Sequence, residues 1–169
     1  MSRPGRDEAA AYYFTYIDRI PELDIIGVME RQIDECAKIF AGISEQKSLH
    51  RYAPEKWSIR QVLNHINDTE RAFSFRALWF GRDFTDPLAS FDQNISVNAA
   101  RADEYPWKDH VSEFRDIRRS TLALFGNMPL EAWKRSGVAS GNLVTVNALA
   151  YMIAGHLAHH VAILRERYL

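Results

Sequence analysis

Apolar side chains recur at intervals of three and four residues in four separate stretches of the chain. The first stretch runs through Ile26, Met29, Ile33 and Phe40. Positions with this spacing fall on one face of an α-helix, so the pattern predicts a helix with one buried side. Asp24 is a typical N-cap residue and marks its start, and we expect the helix to end near residue 43.

The second stretch has the strongest start signal in the chain. Ser58 and Gln61 match a capping box, in which each side chain accepts a hydrogen bond from the backbone N–H of the other residue. Trp57 and Val62 flank this box at the positions of a hydrophobic staple. We expect this helix to continue to about Phe80.

Two further stretches predict a third and a fourth helix. Pro106 is expected at the first helical position of the third, which ends near Gly126. Thr145 is the expected N-cap of the fourth, which continues to about Tyr168.

The connections between these stretches are unequal in length. Residues 81–105 form a long linker, with a short helix expected near 95–100, and linkers of this length are often functional. Residues 135–143 are rich in glycine and serine and resemble a hairpin loop.

Four helices of this length without a convincing strand pattern predict an all-α protein, a four-helix bundle. The chain of 169 residues suits a single domain, 1–169. Residues 1–20 are polar and then aromatic, and they predict an irregular arm laid over the bundle.

Composition narrows the class of protein. The net charge is -1 and no run of basic residues occurs, which argues against a nucleic-acid binder. No apolar segment approaches the roughly 20 residues that span a bilayer, and no apolar signal core follows the N-terminus. We therefore expect a cytoplasmic protein without a membrane partner. Cys36 lies among apolar residues and is expected to be buried.

Three of the six histidines lie on the fourth helix, within a span of five residues. His156 and His160 are four residues apart and project from one face. His65 occupies the apolar face of the second helix, so the three imidazoles can meet in the bundle core. Three imidazoles around a divalent cation leave a position open for water or substrate, as in catalytic zinc sites. The alternative is three hydrogen-bonded core histidines without a metal. His159 lies about 100° around the helix and is expected at the flank.

Three more residues are candidates for catalysis. Asp68 would serve as a general base or as an acceptor for an imidazole N–H. Arg76 returns to the face of His65 and would hold either an anionic substrate or a buried carboxylate. Asp92 lies in the long linker, within reach of the mouth of the site. For each of the three, a purely structural role is the simpler interpretation.

Other polar residues are expected at the surface. Glu70 lies about 140° from His65 on the same helix and, with Arg71, predicts an exposed ion pair. His50 and His110 are expected in a surface loop and at an exposed helix start.

A known pattern occurs in residues 56–71 around His65, in 76–78 and 91–93, and in 155–169 with both later histidines. In these stretches the chain resembles the DinB/YfiT-like superfamily of metal-dependent enzymes. The resemblance implies an up-down-down-up four-helix bundle that is often a homodimer. It also implies a divalent metal ion, zinc or nickel, held by His65, His156 and His160.

The resemblance implies a small-molecule substrate and one of two activities. Members of the group include transferases that use a low-molecular-weight thiol as co-substrate and proteins described as hydrolases. In this chain Leu157 and Ala158 stand between the two later histidines, so no acid is available there as a base. The alternative to an enzyme is a non-catalytic metal-binding or stress-related dimeric bundle.

Overall fold

The computed structural model describes residues 2–169 and contains four long and two short α-helices. In chain order they are α1 (Phe14–Ile17), α2 (Ile25–Ala41), α3 (Ile59–Gly81), α4 (Gln93–Ala100), α5 (Trp107–Gly126) and α6 (Val146–Arg167). The four long helices correspond to the four apolar stretches of the sequence.

The long helices pack as a four-helix bundle, which confirms the predicted fold class. Helix α3 packs against α5 and α6, and α2 packs against the same two helices. The consecutive helices α2 and α3 therefore lie diagonally opposite each other, as do α5 and α6. This arrangement places α3 and α6, which carry the three core histidines, side by side.

Most helix starts follow the signals in the sequence. The Ser58 hydroxyl accepts from the N–H of Gln61, and the Gln61 side chain accepts from the N–H of Ser58, both at 3.0 Å, so the capping box is present. Asp24 and Thr145 cap α2 and α6 with their side-chain oxygens. Each cap satisfies a backbone N–H that the helix leaves without an internal partner.

The start of α5 differs by one residue from the prediction. Pro106 was expected inside the helix, but its ψ of 142° is extended and it forms the N-cap. Helix α5 begins at Trp107, whose N–H donates to the Glu45 carboxylate at 3.0 Å.

The N-terminal arm is more regular than predicted. A turn of 3-10 helix at Ala11–Tyr13 leads into α1, and the α1 residues Phe14 and Ile17 are buried. Helix α1 packs on α6 at Gly155, where an added Cβ would overlap the backbone carbonyl of Tyr16. The arm is ordered by this close packing, which no local pattern in the sequence indicates.

Two short strands precede α6. Strands β1 (Ser136–Ala139) and β2 (Asn142–Thr145) pair antiparallel. Ser140 and Gly141 connect them with positive φ angles of 53° and 75°, as a two-residue hairpin turn requires. The hairpin-like loop of the sequence is thus a true hairpin.

Two hydrophobic clusters fill the bundle, and a polar layer separates them. One cluster includes Phe73 and Ile153, and the other includes Ile66 and Leu157. Each long helix has a buried polar residue between the two clusters: Gln32 on α2, Glu70 on α3, Arg118 on α5 and His156 on α6. His65, just before Ile66 on α3, lies against His156 of this layer. The polar layer is the level at which the candidate site lies.

Among residues 2–169, no helix is long and apolar enough to cross a membrane. Cys36 is buried, as its apolar neighbours predicted.

Candidate metal centre

Three imidazoles converge between α3 and α6. The Nε2 atom of His156 lies 3.0 Å from Nε2 of His65 and 3.1 Å from Nε2 of His160. Ligand atoms of the three side chains all lie within 4.8 Å of one another. We call His65, His156 and His160 the triad. Helical spacing places two of its members one turn apart on α6, and the packing of α3 against α6 supplies the third.

Burial keeps the triad imidazoles uncharged. It lowers the pKa of His65 to about 4, aided by the charge of His159. It also lowers the pKa of His160 to about 3, and it holds the pKa of His156 well below the usual range. At neutral pH all three rings therefore keep a free lone pair, which is the form that binds a metal ion.

The spacing of the triad fits a divalent metal ion. Two nitrogen ligands of a tetrahedral zinc ion at 2.0–2.1 Å lie about 3.3 Å from each other, close to the observed Nε2 separations. On the far side of the His65 ring, Nδ1 lies 3.4 Å from the Thr69 hydroxyl. A proton held on Nδ1 by this partner leaves Nε2 as the metal-binding nitrogen.

Aromatic side chains enclose the triad. The Trp57 ring lies 5.0 Å from the His65 ring, and the Tyr16 ring lies 5.2 Å from His156, edge to face. Tyr16 also contacts His159, which is half-buried and does not belong to the converging set. These contacts fix the orientation of the imidazole rings.

A cavity of about 210 Å³ opens beside His65 and His156. We call it the triad cavity. Tyr12 and Tyr16 contribute to its wall, and their hydroxyls lie 2.8 Å apart. Burial raises the pKa of Tyr16 above its usual value, so its hydroxyl stays protonated and can donate a hydrogen bond. Sequence reasoning missed this role; the aromatic run at 12–16 was the available signal.

A second cleft borders the triad at His160. It has a volume of about 260 Å³ and is lined by His160, Trp57 and Tyr168 among others. The triad thus borders two cavities, one at His65 and His156 and the other at His160.

Asp68 and Asp92, the two predicted catalytic carboxylates, do not line the triad cavity, although the neighbours of Asp92, Phe91 and Gln93, do. Asp68 is half-buried and accepts hydrogen bonds from Ser96 at 2.9 Å and Arg71 at 3.4 Å. Asp92 is exposed and accepts from the N–H groups at the start of α4. Both carboxylates therefore have structural contacts.

Arg76 does line the triad cavity. It is 5% exposed, and its Nη2 donates to the Ala89 carbonyl at 3.2 Å and the Ser140 hydroxyl at 3.0 Å. Within residues 2–169 no carboxylate lies within 4.0 Å of its guanidinium. The sequence left two partners open for Arg76, an anionic substrate and a buried carboxylate. The buried carboxylate is therefore excluded.

Two surface predictions are wrong. Glu70 is buried and forms a two-pronged ion pair with Arg118 of α5, at 2.8–3.2 Å, and Arg71 pairs with Glu113 and Asp68 instead. His110 is 5% exposed, and its Nε2–H donates to the Ala102 carbonyl at 2.9 Å. His50 is exposed, as expected.

Comparisons with known proteins agree with this fold. A family model described as the DinB superfamily matches residues 29–164. No curated protein matches the sequence. One solved structure matches this chain with a TM-score of 0.66 and 14% sequence identity. The match covers 97% of this chain and 92% of the chain in that structure. It is YfiT from Bacillus subtilis, described as a probable metal-dependent hydrolase with an unusual four-helix bundle topology.

Proposed function

The chain belongs to the DinB superfamily, and from this premise we propose that it is a metal-dependent enzyme acting on a small molecule. The observation that carries the proposal is the convergence of three neutral Nε2 atoms beside a cavity. The triad would hold one divalent ion, zinc or nickel. Such an ion acts as a Lewis acid and lowers the pKa of water or of a thiol.

The open cavity favours a catalytic over a structural ion. Structural zinc sites are usually closed by four protein ligands, whereas catalytic sites have three. Among residues 2–169, the three histidines are the only cluster of at least three such side chains whose ligand atoms converge. The triad cavity borders two of these ligands and leaves room for a substrate.

The lining of the cavity favours transfer of a low-molecular-weight thiol. No Asp or Glu among the described residues lines the cavity, so no carboxylate is placed to act as a general base. A thiol with a pKa of about 8.5 loses its proton far more readily than water, with a pKa of 15.7. The protonated Tyr16 hydroxyl would donate a hydrogen bond to the substrate.

Hydrolysis is the second candidate. It is supported by the likeness to YfiT, described as a probable metal-dependent hydrolase. The two activities are separable by assay of the metal-loaded protein. Turnover of an electrophile only in the presence of an added low-molecular-weight thiol supports transfer, and turnover of esters or amides without a thiol supports hydrolysis.

Metal analysis of untagged protein tests the triad. We expect about one metal ion per chain in the wild type and its loss in His65→Ala, because two imidazoles alone bind far more weakly. His159→Ala is the matched control: it removes a neighbouring imidazole that does not converge with the others and should keep the ion. Full metal content in His65→Ala would contradict the proposed site.

A further inference from the structure

We propose that the triad cavity binds a carboxylate group of the substrate through Arg76. The proposal rests on the proposed function in one respect only: the molecule carrying the carboxylate is taken to be the substrate. Binding of the carboxylate itself depends on Arg76 and not on a metal ion.

The triad cavity contains the charged residue Arg76. Among residues 2–169, Arg76 is the only Arg, Lys, Asp or Glu that lines it. Arg76 is also 95% buried and lacks a carboxylate partner within the described residues. Burying an unpaired charge is costly. An anion from solution that enters the cavity offsets this cost.

Most N–H groups of the Arg76 guanidinium are free to bind a ligand. Both contacts of Arg76 with the rest of the chain use Nη2. Within residues 2–169, Nε and Nη1 have no hydrogen-bond partner, so three N–H groups remain for a ligand. A guanidinium with free N–H groups is the usual partner of a carboxylate or phosphate.

The neighbouring groups favour a carboxylate over a phosphate. The triad cavity has a volume of about 210 Å³. It offers one guanidinium and no second cation. The start of α4 nearby gives no free anion site, because Asp92 already accepts from the N–H groups of Asn94 and Ile95. One planar monoanion matches this set of donors.

Helix geometry relates the anion site to the triad. Arg76 follows His65 by eleven residues, about 16 Å along α3 and on nearly the same face. Helical side chains lean toward the N-terminus, which brings the guanidinium back toward His65. Phe73 contacts both ends: its ring lies 5.8 Å from the Arg76 guanidinium and 6.2 Å from the His156 ring. A substrate would place its carboxylate at Arg76 and its reacting group at the triad.

A purely structural role for Arg76 makes a different prediction. Its Nη2 joins α3 to the long linker at Ala89 and to the hairpin turn at Ser140. If these two bonds were its whole role, its loss would destabilise the protein without changing anion binding. Ser140→Ala removes one of them and keeps the charge, so it is the matched control.

The test is a titration of ¹⁵N-labelled protein, metal-free and zinc-loaded, followed by NMR. The probes are propionate, neutral propionamide and inorganic phosphate, and the first signal is the Arg76 Nε–H resonance, assigned by its absence in Arg76→Lys. The backbone amide resonances of the lining residues Thr69 and Phe73 are the second signal, and they report binding in the Arg76 variants as well. We expect propionate to shift the Arg76 Nε–H resonance in both forms and propionamide to leave it unchanged. Because the metal-free arm does not depend on the triad, failure of the metal proposal does not affect it.

Variants of Arg76 and Ser140 measure how much the guanidinium contributes to propionate binding. Losing charge-assisted hydrogen bonds worth about 1.5–3 kcal/mol should weaken propionate binding roughly 10- to 150-fold in Arg76→Gln. Ser140→Ala should stay within about 3-fold, since the charge remains. Arg76→Lys keeps the charge but loses the planar pair of N–H donors, so its affinity for propionate should lie between those of the other two variants. No shift with propionate, equal binding by wild type and Arg76→Gln, or tighter binding of phosphate than of propionate would overturn the proposal.

Discussion

His156 lies within hydrogen-bonding distance of both His65 and His160, and three imidazoles this close together are stable only while they are neutral. Burial lowers the pKa of His65 to about 4 and of His160 to about 3, against about 6.5 in an unfolded chain. The same neutral form is required for metal binding. The side-chain environment that disfavours protons therefore favours a metal ion at the same place.

This shift predicts how the stability of the metal-free protein depends on pH. Between pH 6.5 and 4 the unfolded chain binds a proton at His65 that the folded protein does not, so the free energy of unfolding falls as the pH falls. A shift from 6.5 to about 4 corresponds to about 3 kcal/mol. Denaturant unfolding at pH 7 and pH 4.5 measures it.

A variant of a second histidine, His50, is the control for this pH dependence. His65→Gln should make the pH dependence less steep but not abolish it, because His156 and His160 are also buried with lowered pKa values. His50→Gln, at an exposed position, should leave the wild-type dependence unchanged. An equal slope in wild type and His65→Gln would contradict the explanation.

Single residues show where sequence reasoning succeeds and where it stops. His65 was placed on the buried face because α3 has a clear start and one apolar stripe. Glu70, about 140° away, was placed at the surface, but α3 contacts both α5 and α6, so its buried face is wider than one stripe. The partner Arg118 is 48 positions away in the chain, and no local pattern relates the two residues.

At the scale of the elements, capping signals were the most reliable guide. The capping box at Ser58 and the caps at Asp24 and Thr145 are all present, because each depends only on residues within one turn. Helix α1 was missed because its four residues are ordered by packing on α6 at Gly155, a contact distant in sequence.

Gly155→Ala tests this packing. Alanine favours a helix over glycine by about 1 kcal/mol, but here its Cβ would overlap the Tyr16 carbonyl. We expect net destabilisation of about 1–3 kcal/mol, as for other overpacked sites, and faster cleavage by trypsin at the exposed Arg19. Thermal unfolding and the rate of proteolysis measure the two effects.

Gly126→Ala is the matched control, since a Cβ there meets no atom within 4 Å. It should leave the arm protected and keep or slightly raise the stability. If Gly155→Ala behaved in the same way, the close approach of α1 and α6 would be wrong.

At the scale of the whole molecule, one buried network joins all four long helices. Arg118 of α5 pairs with Glu70 of α3 and donates to the Gln32 side chain of α2 at 2.7 Å. Gln32 in turn donates to the Ala154 carbonyl of α6 at 2.9 Å, two residues before His156. The network therefore fixes the bundle next to the triad. From sequence, the bundle itself was predictable from periodicity, but this network was not, because it depends on which helices become neighbours.

Glu70→Gln should be among the most destabilising substitutions in the chain. It leaves the Arg118 charge buried without a partner, which costs about 3–5 kcal/mol. Asp116→Asn, which removes one partner of an exposed ion pair on α5, should change the stability little. Denaturant unfolding of both variants measures the contrast, and similar losses would show that the buried pair has no special role.

The same pair constrains how the protein can change over generations. A substitution at Glu70 or Arg118 alone creates an unpaired buried charge, whereas joint replacement by apolar residues of similar volume is often neutral or stabilising. The neutral route between the two arrangements therefore requires two changes at once. Related proteins should carry either both charges or neither at these positions, and lineages that keep the pair inherit it as one unit.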